Sequence, residues 1–334
     1  MAGVIATTAF SQTPGSTAAS ARSASLARRG RARPGPADPV APAGPSGASA
    51  GPRVASGQTG ASGNTGASGN TGSSGNTGSS GETGAGRGVP HAPVARYRVI
   101  GCRSFGDVAY LHGPHRREVA IGFDDGPATD TSAFVGMLER NRARATFFMI
   151  GEQITRSYRA TMLRELRDGD VLGDHTFTHP DLTTSPSVRG QLADTIEVIH
   201  ELTGYTPCIF RPPYGDYDAS VIDTARSLGL ATVLWNVDPS DYALPGSAAI
   251  RERVLAQVQP GSIIISHDGG GPRGETLAAY PGIIAALRDR GYRIVTIPEL
   301  LGFRPVYVPC IRLCDGIAIT RRALPRDAII QRAP

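Results

Sequence analysis

At 334 residues, with 40% hydrophobic residues and a formal net charge of +5, the chain has room for one large domain with extras or for two small ones. All 34 basic residues are arginine, which points to GC-rich coding rather than selection for phosphate contacts, and no basic helix face is interleaved with aromatics, so the composition speaks against a nucleic-acid partner. No apolar run reaches the roughly 18 residues of a membrane span.

The opening MAGVIATTAF lacks the basic start and long apolar core of a standard secretory signal. Residues 1–37 are rich in Arg, Ser and Ala and hold no acid, which superficially matches an organelle transit peptide; a disordered leader, or a gene start placed too far upstream, is the plainer reading. From residue 1 to about 95 large aliphatic and aromatic side chains are too sparse for a core. Between Gly57 and Gly84 glycine recurs at every third position, the collagen period, but the repeat contains no proline to stiffen a triple helix. A flexible polar linker is the preferred reading, with a collagen-like stalk as the alternative. The domain division expected is therefore a disordered Gly/Ser/Thr/Arg-rich leader and linker over 1–95, a catalytic domain over 96–304 and a C-terminal extension over 305–334.

Within the folded part, short apolar runs alternate with helical patterns. Strands are expected at 119–123, 145–150, 171–173, 209–210, 231–235, 262–266 and 292–295, and helices near 130–141, 153–168, 187–203, 217–229, 247–257 and 275–290. Gly169, Gly204, Gly229 and Gly291 stand where helices should stop. Repeated β-then-α order argues an α/β fold with a parallel sheet curled into a (β/α) barrel, and seven strands rather than eight make that barrel distorted. Of the four cysteines, Cys208 lies in an apolar strand and reads as a buried thiol. Cys102, Cys310 and Cys314 permit disulfides without requiring them, and the 310/314 pair lacks a second pair at zinc-knuckle spacing.

The strand over 119–123 runs into Asp124-Asp125-Gly126-Pro127, so two carboxylates sit where a strand ends, the place where α/β folds collect catalytic groups. Neighbouring side chains on an extended backbone point opposite ways, so one acid is read as a metal ligand and the other as a general base. After the third strand comes His175-Thr176-Phe177-Thr178-His179, two imidazoles four apart that would meet on one face of a helical turn and suit a single divalent metal. With Asp125 they offer two nitrogens and one oxygen, leaving open positions as a catalytic zinc site requires. Arg211-Pro212-Pro213-Tyr214-Gly215 is a strand end stiffened by two prolines. Trp235-Asn236-Val237-Asp238-Pro239-Ser240-Asp241-Tyr242 carries the single tryptophan beside acids, and an apolar strand delivers His267-Asp268 to the same rim. Taken singly these pieces have plain readings: an Asp-Gly turn, surface histidines, a rigid turn with a surface arginine, a core tryptophan.

Taken together, FDDGP, HTFTH, RPPYG, WNVDPSDY and ISHD, in this order over about residues 117–301, resemble the polysaccharide deacetylases, the NodB homology domain of carbohydrate esterase family 4. The resemblance implies a distorted β/α barrel. It implies Asp124 as general base, and Asp125, His175 and His179 as ligands of a divalent metal, zinc or alternatively cobalt. It further implies Arg211 orienting the base, the Tyr214 backbone N–H binding the oxyanion, His267 as general acid and Asp241 as the acid that hydrogen-bonds it. Trp235 would line the groove and Ile265 would meet the acetyl methyl, although an ordinary strand-core residue is the plainer reading of Ile265. Gly122 departs from the usual Thr and Tyr242 from the frequent Trp. The expected activity is hydrolysis of N-acetyl groups on N-acetylglucosamine in a polysaccharide, peptidoglycan or chitin oligomers. O-acetyl xylan esterase and an inactive carbohydrate-binding module are the alternatives. The partner expected is the acetylated polysaccharide, the chain acting as a monomer outside the cell or in the wall of a bacterium, with a cytoplasmic location left open.

Overall fold

The computed structural model describes residues 96–105, 108–310 and 318–332, all within one compact unit, Ala85–Pro334. The leader and glycine repeat expected over 1–95, and Cys314, lie outside the described residues.

In chain order the elements are β1 (Arg96–Arg103), β2 (Glu118–Gly126), α1 (Thr131–Arg140), β3 (Thr146–Met149), α2 (Arg159–Asp168), β4 (Val171–Asp174), α3 (Val188–Thr203), β5 (Ile209–Phe210) and α4 (Ala219–Ser227). There follow β6 (Ala231–Thr232), α5 (Ser247–Gln257), β7 (Ile263–His267), α6 (Gly274–Asp289), β8 (Arg293–Val295), α7 (Ile297–Leu301), β9 (Arg304–Cys310), β10 (Ile319–Thr320) and β11 (Ile329–Ile330). Seven parallel strands form one sheet in the order β6-β5-β4-β3-β2-β7, with β8 also paired to β2. This is the curled α/β sheet expected from seven apolar runs. Helices α2 and α3 stop at Gly169 and Gly204, both left-handed at φ 89° and 69°, where a side chain would be strained. The helix expected from residue 153 begins only at Arg159, because two 3-10 turns, Gly151–Gln153 and Arg156–Tyr158, precede it.

Period-two alternation explains which face of each strand does what. Val119, Ile121 and Phe123 of β2 pack with Phe134 and Met137 of α1 and with Tyr280 and Ile283 of α6, forming the layer between sheet and helices. The intervening Ala120 joins Phe148, Ile263 and Val295 in a second cluster inside the curl. Gly122 and Asp124 continue that inner row toward the carboxyl end of β2. The inner row is thus apolar below and polar only at the rim.

The curl is not closed by strand pairing, since β6 and β7 end the sheet. Single bridges span the gap: the Tyr110 N–H donates to the Thr232 carbonyl at 2.9 Å, the Gly113 N–H to Gly261 at 2.8 Å, and the Ile265 N–H to Val237 at 3.0 Å.

A second sheet was not expected. It runs β10-β1-β9-β11, with β1 antiparallel to both β9 and β10 and β9 parallel to β11. Residues 304–310 therefore pair with the strand that opens the described chain. The reading of Cys208 as a thiol is corrected here: it forms a disulfide with Cys102 across 106 residues, tying β1 to the strand start of β5. The sequence could not pair them because the partner lies in a strand whose place in the fold was itself unread. Cys310 is disulfide-bonded too, and the described residues hold no free cysteine. Closing a loop of this length restricts the unfolded chain strongly. The double variant C102S/C208S should lose about 2–5 kcal/mol in guanidinium unfolding; an unchanged midpoint would refute a stabilising role.

Candidate active site

The carboxyl end of β2 is where the chain departs from regular strand geometry. The register against β3 slips between Asp124 and Gly126, Asp125 takes φ 69°, and the Gly126–Pro127 peptide is cis. This left-handed residue cancels the alternation expected of neighbouring acids. Asp124 faces the interior as an ordinary strand residue, and Asp125 is turned back to the same rim, so both carboxylates approach one imidazole. His175 Nε2 lies 3.4 Å from Asp125 Oδ1 and 3.9 Å from Asp124 Oδ2.

His175 and His179 do come together, with ring centroids 4.8 Å apart, but not on a helical turn. Residues 175–179 form a loop in which Thr176 (φ 69°) and His179 (φ 58°) are both left-handed. Side chains hold it: Asp174 Oδ1 accepts the Thr176 N–H, Thr176 Oγ1 accepts the His179 N–H, and Gln191 Oε1 accepts both the Phe177 and Thr178 N–H groups. The helical expectation fails because those side-chain acceptors take the amides that a helix would have used.

One ligand atom each from Asp125, His175 and His179 lie within 4.8 Å of one another. Asp125 Oδ1 is 3.3 Å from His179 Nε2, and it is buried with no hydrogen-bond partner. The His175 Nδ1 hydrogen-bonds the Arg211 carbonyl at 2.7 Å. A carbonyl can only accept, so Nδ1 carries the proton and Nε2 of the neutral ring presents a lone pair. Lone pairs facing a carboxylate oxygen across 3.4 Å repel unless a cation lies between them, and the donor set therefore fits a divalent metal. Burial, together with the neighbouring His175, holds the His179 imidazole below its ordinary range and favours the neutral ring. Burial pushes the Asp125 carboxyl up, whereas the surrounding histidines in their protonated form outweigh it and hold the group at about 2; with neutral rings, a cation among the three groups would have to supply that positive charge.

Asp124 is buried, and its other oxygen, Oδ1, accepts a 2.6 Å bond from Arg211 Nη1. The guanidinium of Arg211 is fully buried, donates also to the Leu234 carbonyl at 3.2 Å, and lies over the rings of Phe148 at 4.1 Å and Trp235 at 5.6 Å. It occupies the space beside Gly122, where a Cβ would stand 2.7 Å from Nη1. The departure at Gly122 is thus matched by a guanidinium that presses into the vacated volume.

Asp124 and His267 are cross-strand partners in the β2–β7 register, and Ile265 sits two residues earlier on the same face, buried and paired with Gly122. His267 Nδ1 donates to Asp241 Oδ1 at 2.7 Å, while Asp241 Oδ2 accepts the His267 N–H and the Thr276 hydroxyl, each at 2.9 Å. Burial pulls the His267 imidazole down, but the bond to Asp241 and its charge outweigh this and hold it above the ordinary histidine value. Tyr214 (φ 61°) and Tyr242 are exposed and set their rings edge-on to His179 and His267, at 4.9 Å and 5.9 Å.

Several contributors carried no signal in the sequence. Thr276 reaches Asp241 from a helix 35 positions away, and Phe148 reads as one more apolar strand residue. Asp268, next to His267 in the sequence, has no distinguishing sequence signal of its own. It is fully buried under Gly126, bonded by the Thr131 hydroxyl, and burial beside Asp124 and Asp125 pushes its carboxyl up to about 7.

A family model described as polysaccharide deacetylase matches residues 112–233. A peptidoglycan-N-acetylglucosamine deacetylase of Bacillus cereus is 38% identical over 192 residues, which cover 56% of this chain and 89% of that protein. A chitooligosaccharide deacetylase of Rhizobium leguminosarum bv. trifolii is 32% identical over 201 residues, covering 56% and 93%. Among solved structures, a peptidoglycan N-acetylglucosamine deacetylase in complex with an N-oxidanyl-benzamide superposes with a TM-score of 0.56 at 32% identity, covering 58% of this chain and 92% of that one.

The electrostatics yield a direct test. Replacing Asp241 with Asn removes the main group that holds His267 up and leaves burial opposed only by the charges of Asp124 and Asp125, so the imidazole should titrate at lower pH. NMR of the ring proton reads this, and a titration that stays put or rises would contradict the assignment of Asp241 as its cause.

Proposed function

Because this chain belongs to the polysaccharide deacetylase family, we propose that it removes N-acetyl groups from N-acetylglucosamine units of a bacterial polysaccharide, releasing acetate. Peptidoglycan is the favoured substrate and chitin oligomers the second. The observation that carries the reading is the meeting of Asp125, His175 and His179 ligand atoms within 4.8 Å, flanked by Asp124 on one strand and His267 on the next.

Asp125 Oδ1, His175 Nε2 and His179 Nε2 would hold the ion, and two nitrogens with one carboxylate oxygen suit zinc, cobalt being the alternative. When bound, such an ion supplies Lewis acidity to the acetyl carbonyl and lowers the pKa of water toward about 7.

The chain's own groups divide the proton work. Asp124 has Oδ1 committed to Arg211 and Oδ2 turned to His175, so Oδ2 is the atom that takes the proton from the attacking water. The buried Arg211 guanidinium keeps that carboxylate oriented. The Tyr214 N–H, on a residue fixed between two prolines and a glycine, is assigned to the developing oxyanion, a contribution of about 3 kcal/mol for such a donor. His267, with Nδ1 anchored on Asp241, gives the proton on Nε2 to the departing amine. Ile265 and Trp235 supply apolar wall, and Tyr214 and Tyr242 offer exposed ring faces to the polymer.

An extracellular or wall location is part of the proposal. Disulfides persist in oxidising compartments, and the Cys102–Cys208 bond supports one.

Acetate release from peptidoglycan fragments, chitin oligomers and acetylated xylan should favour the glucosamine polymers. Preference for xylan would turn the reading to an O-acetyl esterase, and no release from any of them to a binding module. Asp124→Asn should lower kcat by about 10²–10⁴-fold while zinc content is retained; a variant of undiminished activity removes Asp124 as the base. Chelation should abolish turnover and added zinc restore it, whereas full activity of metal-free protein would overturn the metal assignment.

A further inference from the structure

The residue capping the N-terminus of α6 is a buried cation that the chemistry above does not use. Arg273, the residue from which α6 starts, is 3% exposed, and its side chain makes no ion pair among the described residues. Its donors go to backbone carbonyls: Nε to Gly269 at 2.6 Å, Nη2 to Gly270 at 3.0 Å and, more weakly, Nη1 to Asp241 at 3.5 Å. Its own N–H is taken by Asp130 Oδ2 at 3.1 Å, which fixes the root of the side chain.

Those carbonyls belong to two segments on different sides of the site. Gly269 and Gly270 are the wall behind Asp125. A Cβ on Gly269 would lie 1.8 Å from the Asp125 carbonyl oxygen, and one on Gly270 would lie 2.4 Å from Asp125 Oδ2. Asp241 is the residue that anchors His267. Three successive glycines, 269–271, cannot hold a conformation by themselves, having the widest backbone freedom of any residue, and Gly270 and Gly271 both take positive φ. A planar guanidinium with its donors in a rigid fork can fix several carbonyls at once, which one ammonium cannot do with the same geometry.

We propose that Arg273 is a positioning residue that couples the two halves of the site. It clamps the Gly269–Gly270 wall against Asp125 and ties the Asp241 turn to the same guanidinium, so that the metal ligand and the anchor of the acid are set together. Thr276, one turn further along α6, adds its hydroxyl to Asp241 Oδ2 and makes the helix start a shared support.

The inference rests on the proposed metal site, so zinc uptake by the parent protein is measured first, by competition with a chromogenic chelator. A parent that takes up no zinc removes that premise and the inference with it. In R273M, which keeps the bulk and loses the donors, zinc affinity should fall by about 10–100-fold, as for other groups that support a metal ligand. Its kcat should fall with KM within about two-fold, and R273K should recover part of both losses. A merely structural arginine would lower the melting temperature and leave zinc affinity and kcat per folded molecule unchanged, and a folded R273M within two-fold of the parent in both overturns the proposal. Should R273M fail to fold, G270A decides: its methyl group presses on Asp125 and should weaken zinc by the same order, and unchanged affinity there is equally fatal.

Discussion

The arrangement hangs on one buried side chain, Arg211. Its guanidinium pairs with Asp124, lies over Phe148 and Trp235, and fills the volume left by Gly122, while its backbone carbonyl receives the Nδ1 proton of His175. A charge removed from water at this depth is costly unless it is paired, and removing one partner of such a pair typically costs about 3–5 kcal/mol. The residue that orients the proposed base therefore also selects the tautomer of a proposed metal ligand. Base and metal site share one anchor.

A second constraint is the single left-handed residue at Asp125. On a regular strand adjacent carboxylates would be divided between the helix layer and the interior, and the helix layer there is apolar around Phe123. The bulge brings the second acid to the rim at the cost of strain, which is offset by tight packing of Gly269 and Gly270 behind it. His267 needs no such device, because the parallel register already sets it opposite Asp124.

Outside the rim, the second sheet and the Cys102–Cys208 bond tie both ends of the described chain to the barrel wall. The disulfide ends three residues before Arg211, immediately before the short strand β5. A two-residue strand is a slight base for a buried cation, and covalent attachment to β1 compensates for the few ladder bonds that β5 makes.

The periodicity of the apolar runs determined the seven parallel strands, the helices between them and the order in which chemical groups arrive at the rim, because alternation and helical spacing are local properties of the chain. For the same reason the Asp, His, Arg and Trp motifs could be singled out as strand-end residues. What only the tertiary structure decided is non-local. The Cys102–Cys208 pairing, the sheet joining β1 to β9, β10 and β11, and the contacts of Thr276 and Arg273 with Asp241 join residues far apart in sequence, and no local pattern encodes their meeting. The spacing of His175 and His179 is helical, but the conformation of their loop is set by acceptors on Asp174 and Gln191 that compete for the same amides. Spacing names the residues that can meet; the side chains that satisfy the intervening backbone decide how they do.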